Sequence, residues 1–194
     1  MKKLTRSDLY GLEKYAELRS AFRAQVIAHK EHRRVAIGPH AMLYFEDRLT
    51  IQYQIQEMLR AERIFETGGI EEELTAYNPL IPDGSNWKAT FMIEYDDVNE
   101  RQHALARMTH IENRVWAQIN GHERVWAIAD EDMERTNEEK TSAVHFLRFE
   151  FAALMIAAAK EGAAITLGID HDAYRYHLEG VSAEIRQSLL KDFN

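Results

Sequence analysis

Between Trp87 and Tyr95 apolar side chains recur at every second position: Trp87, Ala89, Phe91, Ile93 and Tyr95. A repeat of two places successive side chains on opposite faces, which no helix does, so this stretch must be a strand with one apolar face. Such a face needs a covering layer, and the rest of the sequence supplies candidates of both kinds. Short strands are predicted over 33–37 and 41–46, around the turn signal Gly38-Pro39, and over 114–120 and 123–129, flanking Asn120-Gly121, the dipeptide of tight hairpins. Further strands are predicted over 142–151 and 163–169.

Helical spacing appears elsewhere. Leu12, Tyr15, Phe22 and Val26 form one stripe of a segment over 7–30, with Ser7 as its N-cap. The segment 48–65 satisfies both periods at first, because Leu49, Ile51, Tyr53 and Ile55 alternate while Ile51, Ile55 and Met58 share a helical face. The continuation EMLRAERIF consists of helix formers and Asp47 can cap, so a helix ending before Gly68-Gly69 is expected. Asp97 with Glu100 announces another helix, which Val98, Arg101, Leu105, Met108 and Ile111 carry on to 111; an alanine-rich helix closes at Gly162, and Ser182 caps the last. YNPLIPDGSN over 77–86 is a turn-rich loop, and EDMERTNEEKT over 131–141 a charged one. Hairpins interleaved with helices predict an α+β fold, a mainly antiparallel sheet of five to seven strands with helices packed on it. The 194 residues fit one domain, 1–194, with the N-terminal helical segment attached.

Composition narrows the function classes. With no cysteine, the chain forms no disulfide and offers neither a thiolate zinc site nor a cysteine-ligated iron–sulfur cluster. A net charge of -8 repels polyanions, which argues against nucleic acid and anionic lipid as partners. The first residues lack the apolar stretch of a signal peptide, and the longest apolar run, 151–159, is too short to span a bilayer, so a cytoplasmic protein is expected. No phosphate-binding glycine loop, GxSxG, HExxH or EF-hand pattern occurs.

Four loose groups of side chains are left as candidates. His40, Tyr44 and Glu46 share one face if the strand begins at His40, so that Glu46 could accept a proton and His40 shuttle it; a capping cluster beside a turn histidine is the competing explanation. Arg148 and Glu150 interrupt an apolar strand and must reach solvent, pair, or face a polar cavity. His40, Glu46, Arg148 and Glu150 are therefore the catalytic candidates. His29 with His32, His145, and Asp170 with His171 are the metal candidates, for iron, manganese or zinc. Against these stand the favourable placement of cations at a helix end, a satisfied core histidine, and an exposed connection.

The runs VIAHKEHRRVAIGPH, LYFEDRLTIQYQIQEMLRAERIF, EEELTAYNPLIPDGSNWKATFMIEY and IADEDMERTNEEKTSAVHFLRFE resemble a bacterial family known as a domain of unknown function, DUF3501. The resemblance spans nearly the whole chain. Genes of that family stand beside those of rubrerythrin-like proteins and cysteine-rich iron–sulfur proteins. This implies work near oxidative stress or electron transfer, beside a redox partner that brings the thiolates. The sequence thus predicts an accessory or binding protein with no chemistry of its own. The alternatives are a metal-dependent or acid–base enzyme built on the residues above, and a small-molecule sensor with 77–86 as a lid. An unpaired sheet edge and three tryptophans make a homodimer an expectation.

Overall fold

A computed structural model describes residues 2–133, 135–137 and 139–194. Among the described residues nine strands form two antiparallel sheets. The first has the order β1-β2-β3-β7-β6, with β1 at Arg34–Ile37, β2 at Ala41–Glu46, β3 at Asn86–Ile93, β7 at Val144–Glu150 and β6 at Ile128–Ala129. The second has the order β5-β4-β8-β9, with β4 at Val115–Ile119, β5 at Arg124–Trp126, β8 at Ile165–His171 and β9 at Tyr174–Leu178. The expected α+β, antiparallel class is what forms, with the strands divided between two sheets. The predicted strand over 123–129 accounts for part of that division: Ala127 separates β5 from β6, and the chain passes from one sheet to the other there.

Alternation explains the layering. Leu43 and Phe45 on β2, Ala89 and Phe91 on β3, and Leu147 and Phe149 on β7 join Val115, Ala117, Leu167 and Ile169 of the second sheet in one buried core. The residues between them face the other way, towards helices α1 (Leu12–Glu31), α2 (Arg48–Ala61) and α3 (Thr67–Tyr77). There a second, smaller core gathers Leu4, Ile51, Ile55, Leu59, Leu74 and Ile81. Helices α4 (Val98–Arg107), α5 (Ala153–Glu161) and α6 (Ala183–Leu190) complete the fold. Among the described residues no helix is long and apolar enough to cross a membrane.

Three helical expectations are corrected. Ser7 does not cap a helix: a 3-10 turn at Arg6–Asp8 precedes α1, because Thr5 and Asp8 bond each other across it, and α1 starts after Gly11. The Gly68-Gly69 pair does not merely end α2; both glycines lie in the first turn of α3, where the early N–H groups are unpaired in any case and a glycine costs little. The helix that Asp97 caps stops at Arg107, since His110 takes a left-handed conformation at φ 63°. Asp47, by contrast, caps α2 as expected, accepting from the amides of Leu49 and Thr50. Within the charged loop 131–141, Glu134 and Glu138 lie outside the described residues.

Candidate functional site

The face of the first sheet turned towards α2 and α3 is not filled. Two adjoining cavities of about 490 and 380 Å³ lie there, both bordered by Tyr77, Leu80 and Phe146. Strand register builds the floor. Glu46 pairs with Lys88, and Lys88 with Arg148, so three ionisable residues stand side by side across β2, β3 and β7. One step along, Tyr44, Thr90 and Phe146 make the next row. The roof comes from Met58 of α2, from Glu73, Ala76 and Tyr77 of α3, and from Pro79 and Leu80 in the 3-10 turn that follows it. Of the turn-rich segment 77–86, Tyr77, Pro79 and Leu80 border this cavity.

Each charged group on the floor has a distinct assignment. The buried Glu46 carboxylate accepts from the Thr50 hydroxyl at 2.5 Å and from the Thr90 hydroxyl at 2.7 Å, which turns it away from Lys88. Arg148 donates to both oxygens of Glu131, at 2.8 and 2.7 Å, and to Glu150 at 2.7 Å. Its hydrogen bonds to Glu131 raise the guanidinium further above its usual range and hold Glu131 below the usual carboxylate range. Burial works to raise Glu150, but hydrogen bonds from Ser85, Asn86 and Arg148 outweigh it and keep the carboxylate low. Arg135 binds Asp132 at 2.6 and 2.7 Å and lies over the Phe146 ring, 4.7 Å from its centroid.

Lys88 differs from these. Burial lowers its amine, with Arg148 and Lys3 adding repulsion, while the charge of Glu131 opposes them. Yet Glu131 gives both its oxygens to Arg148. Across the cavity Glu73 is shifted the opposite way, raised by burial and by its neighbours Glu62 and Glu72. The site therefore holds an amine and a carboxyl whose environments each favour the neutral form.

The sequence candidates divide accordingly. Glu46, Arg148 and Glu150 share the sheet face of the cavity, although Glu150 and Arg148 are engaged with each other. His40 does not join them: it lies beyond the opposite end of β2, about 20 Å away at the rise of a strand. There its ring stacks on Tyr95 with centroids 3.8 Å apart and bonds the Glu94 carbonyl through Nδ1 at 3.0 Å. His145 points to the other face, into the core, because it sits one residue out of phase with Arg148. It is fully buried, with Nδ1 2.6 Å from Asp130 and Nε2 2.8 Å from the Thr141 hydroxyl, which also reaches the buried Glu112. This network fastens the charged loop to β7.

The metal candidates do not assemble. His29 bonds Asp47 at 2.5 Å, while His32 is exposed just past the end of α1. Asp170 pairs with Arg175 at 2.8 Å, and the His171 ring is held by the Thr109 carbonyl and the Ala173 amide. Among the described residues no group of three His, Asp or Glu side chains is placed to hold a metal ion. Arg33, read with the histidines as one of the cations at a helix end, is buried instead and binds the Phe45 and Glu46 carbonyls and Asp192.

Lys88 and Glu73 escaped the sequence reading. Lys88 occupies a polar position of an alternating strand, which resembles a solvated face; Glu73 is one of three successive glutamates. The available signal was that Arg148 and Glu150 needed a polar environment, and the strand beside theirs had to supply it.

Fold and site define a two-sheet α+β protein with a cavity between one sheet and its covering helices. The chain belongs to the family described as a protein of unknown function (DUF3501), whose profile matches residues 3–193. A crystal structure of a novel protein of unknown function from Burkholderia pseudomallei K96243 is similar to it, with a TM-score of 0.95 and 50% identity over 100% of both chains. No curated protein matches the chain.

Proposed function

We propose that the chain binds a small organic molecule with an apolar body and one polar head, in the cavity beneath α3. The observation that carries this reading is the cavity itself: about 490 Å³, within the size range of small-molecule sites, with Met58, Tyr77, Leu80 and Phe146 as apolar walls and Lys88 on its floor beside the paired Arg148 and Glu131. The head of the ligand meets the amine, and the body displaces water from the apolar walls. Of the functions weighed from the sequence, the small-molecule sensor fits this geometry best. An acid–base site drawing on His40 and His145 would need groups that lie on other parts of the molecule.

The test is thermal unfolding of the full chain with medium-chain carboxylates, alcohols and methyl ketones. A ligand present at a hundred times its Kd stabilises the folded state by about 2.7 kcal/mol, which raises Tm by roughly 5–10 °C for a chain of this size. Ala76→Trp, at an exposed position on the cavity wall, should abolish the shift while leaving the unliganded Tm in place. No shift with any member of the panel would reject the reading. Service to a rubrerythrin-like or iron–sulfur partner, which only the family resemblance implies, would use the outer surface and is independent of the cavity; retention of such a protein by a tagged copy at low salt tests it.

A further inference from the structure

Resting on that reading, we propose that the polar head of the ligand is a carbonyl group, an aldehyde or ketone, which Lys88 captures as an imine with Glu73 carrying the proton. The geometry separates Lys88 from the other cations of the cavity. Arg148 and Arg135 are held by carboxylates and are committed to them. The carboxylate paired with Lys88 across β2, Glu46, is turned to two threonine hydroxyls. Among the described residues no hydrogen bond or ion pair holds the amine of Lys88, which stands in a half-apolar cavity where burial favours its neutral, nucleophilic form. Glu73 enters the same cavity from α3, on the far wall, where burial and two neighbouring glutamates favour its protonated form. A ligand between them has a nucleophile on one side and a proton donor on the other.

The step balances without an oxidant or reductant. The Nζ lone pair attacks the carbonyl carbon, a C–N bond forms, and the π electrons of the carbonyl move to oxygen, which takes the Glu73 proton. The nitrogen of the resulting carbinolamine releases a proton to the Glu73 carboxylate. That proton returns to the hydroxyl, which leaves as water as the nitrogen lone pair forms the C=N bond, and the remaining N–H proton of the iminium passes to the Glu73 carboxylate, restoring its acid form. One amine and one carbonyl give one imine and one water. A mild hydride donor such as cyanoborohydride reduces such a bond to a secondary amine and makes it permanent.

The experiment uses the full chain, methyl pentyl ketone as the carbonyl probe and sodium cyanoborohydride as the trap, with intact-mass and peptide mapping. A ketone reacts sluggishly with ordinary surface amines, so the exposed Lys14 and Lys191 serve as internal controls. One adduct per chain at Lys88 is expected, absent from Lys88→Arg and formed at least about tenfold more slowly by Glu73→Gln. Lys88→Arg keeps the long stem and a polar head but offers no nucleophilic amine, and its unliganded Tm shows that the fold survives. Labelling of Lys88 no greater than that of Lys14 and Lys191, or labelling unaffected by Lys88→Arg, overturns the proposal. An unchanged rate in Glu73→Gln overturns the role of Glu73. If the ketone or its alcohol raises Tm and no adduct forms, the imine falls while ligand binding stands; if neither binds, both fall.

Discussion

Glu46 shows how the chemistry of one residue follows from its strand phase. It ends β2 on the face opposite to Phe45's neighbours in the core, and two threonine hydroxyls from different elements converge on it. A buried carboxylate that receives two hydroxyl donors joins α2 to β3 through a single side chain. Glu46→Ala should therefore cost about 2 kcal/mol, since it leaves two hydroxyls without their acceptor and each such loss is worth about 1 kcal/mol or more. Chemical denaturation measures this, and Thr90→Val in the same background should then cost less than it does in the native chain, because the two changes remove one shared interaction. At this scale the sequence was partly legible. Polar residues that interrupt apolar strands identified Glu46, Arg148 and Glu150, and all three do line one sheet face. Strand phase also separates Arg148 from His145, whose side chains lie on opposite faces. It could not distinguish the polar side chain of Lys88, over a cavity, from one in water, because that depends on what α3 covers.

Among the elements, caps and turns were the readable part. Asp47 and Ser182 both begin helices as expected, yet they do not carry equal weight. Ser182 accepts from one amide, that of Ile185, whereas Asp47 accepts from two amides, bonds His29, and lies 3.5 Å from the buried Arg33. Ser182→Ala should cost about 1 kcal/mol, the usual value of an N-cap, and Asp47→Ala at least about twice that, because it also removes compensating charge from a buried guanidinium. Urea denaturation of the two variants decides it; equal losses would mean that Arg33 is satisfied by Asp192 and the carbonyls alone. The elements that went unread have local sequences that contradict their context. Two glycines open α3, and propensity gives no reason to begin a helix there; packing of Leu74 in the small core does. Strand β9 was hidden because Asp170, His171 and Asp172 look like an exposed connection, while the chain in fact turns back on itself to pair Asp170 with Arg175 and His171 with Tyr174.

The whole molecule is layered, two sheets around one core with a helical layer over one of them, and its titrating groups are distributed unevenly between those layers. In the helical layer Glu57 of α2 receives both Arg19, at 2.8 and 2.7 Å, and the Tyr15 hydroxyl, at 2.6 Å, from α1. The Arg19 hydrogen bond, ahead of that from Tyr15, pulls the carboxyl from its ordinary 4.5 down to about 2. A group lowered in the folded state contributes stability above its unfolded value, and that contribution is lost as pH falls through the folded value. Asp8 is likewise held near 2, by the Thr5 amide and Arg48, and it ties the N-terminal turn to α2. Between the two sheets and the C-terminal segment the sign reverses. Burial raises Asp192 to about 6 in spite of Arg33, so its contribution is present below its ordinary 3.8 and is lost as pH rises through about 6. Acidification from neutral pH should thus loosen the helical layer while relieving strain at Asp192, and the cavity should open before the sheets unfold. Hydrogen exchange at pH 6 and at pH 3 should show protection falling first in α1 and the start of α2, with β3, β4 and β8 still protected. Glu57→Gln should lower protection of α1 already at pH 6 and flatten its dependence on pH. Because Arg19 and Glu57 are partly exposed, added salt should reduce the difference between the two chains. Simultaneous loss of protection in helices and sheets, with or without the Glu57 carboxylate, would show that the two layers unfold as one unit and that ligand entry cannot be governed by the helical layer alone.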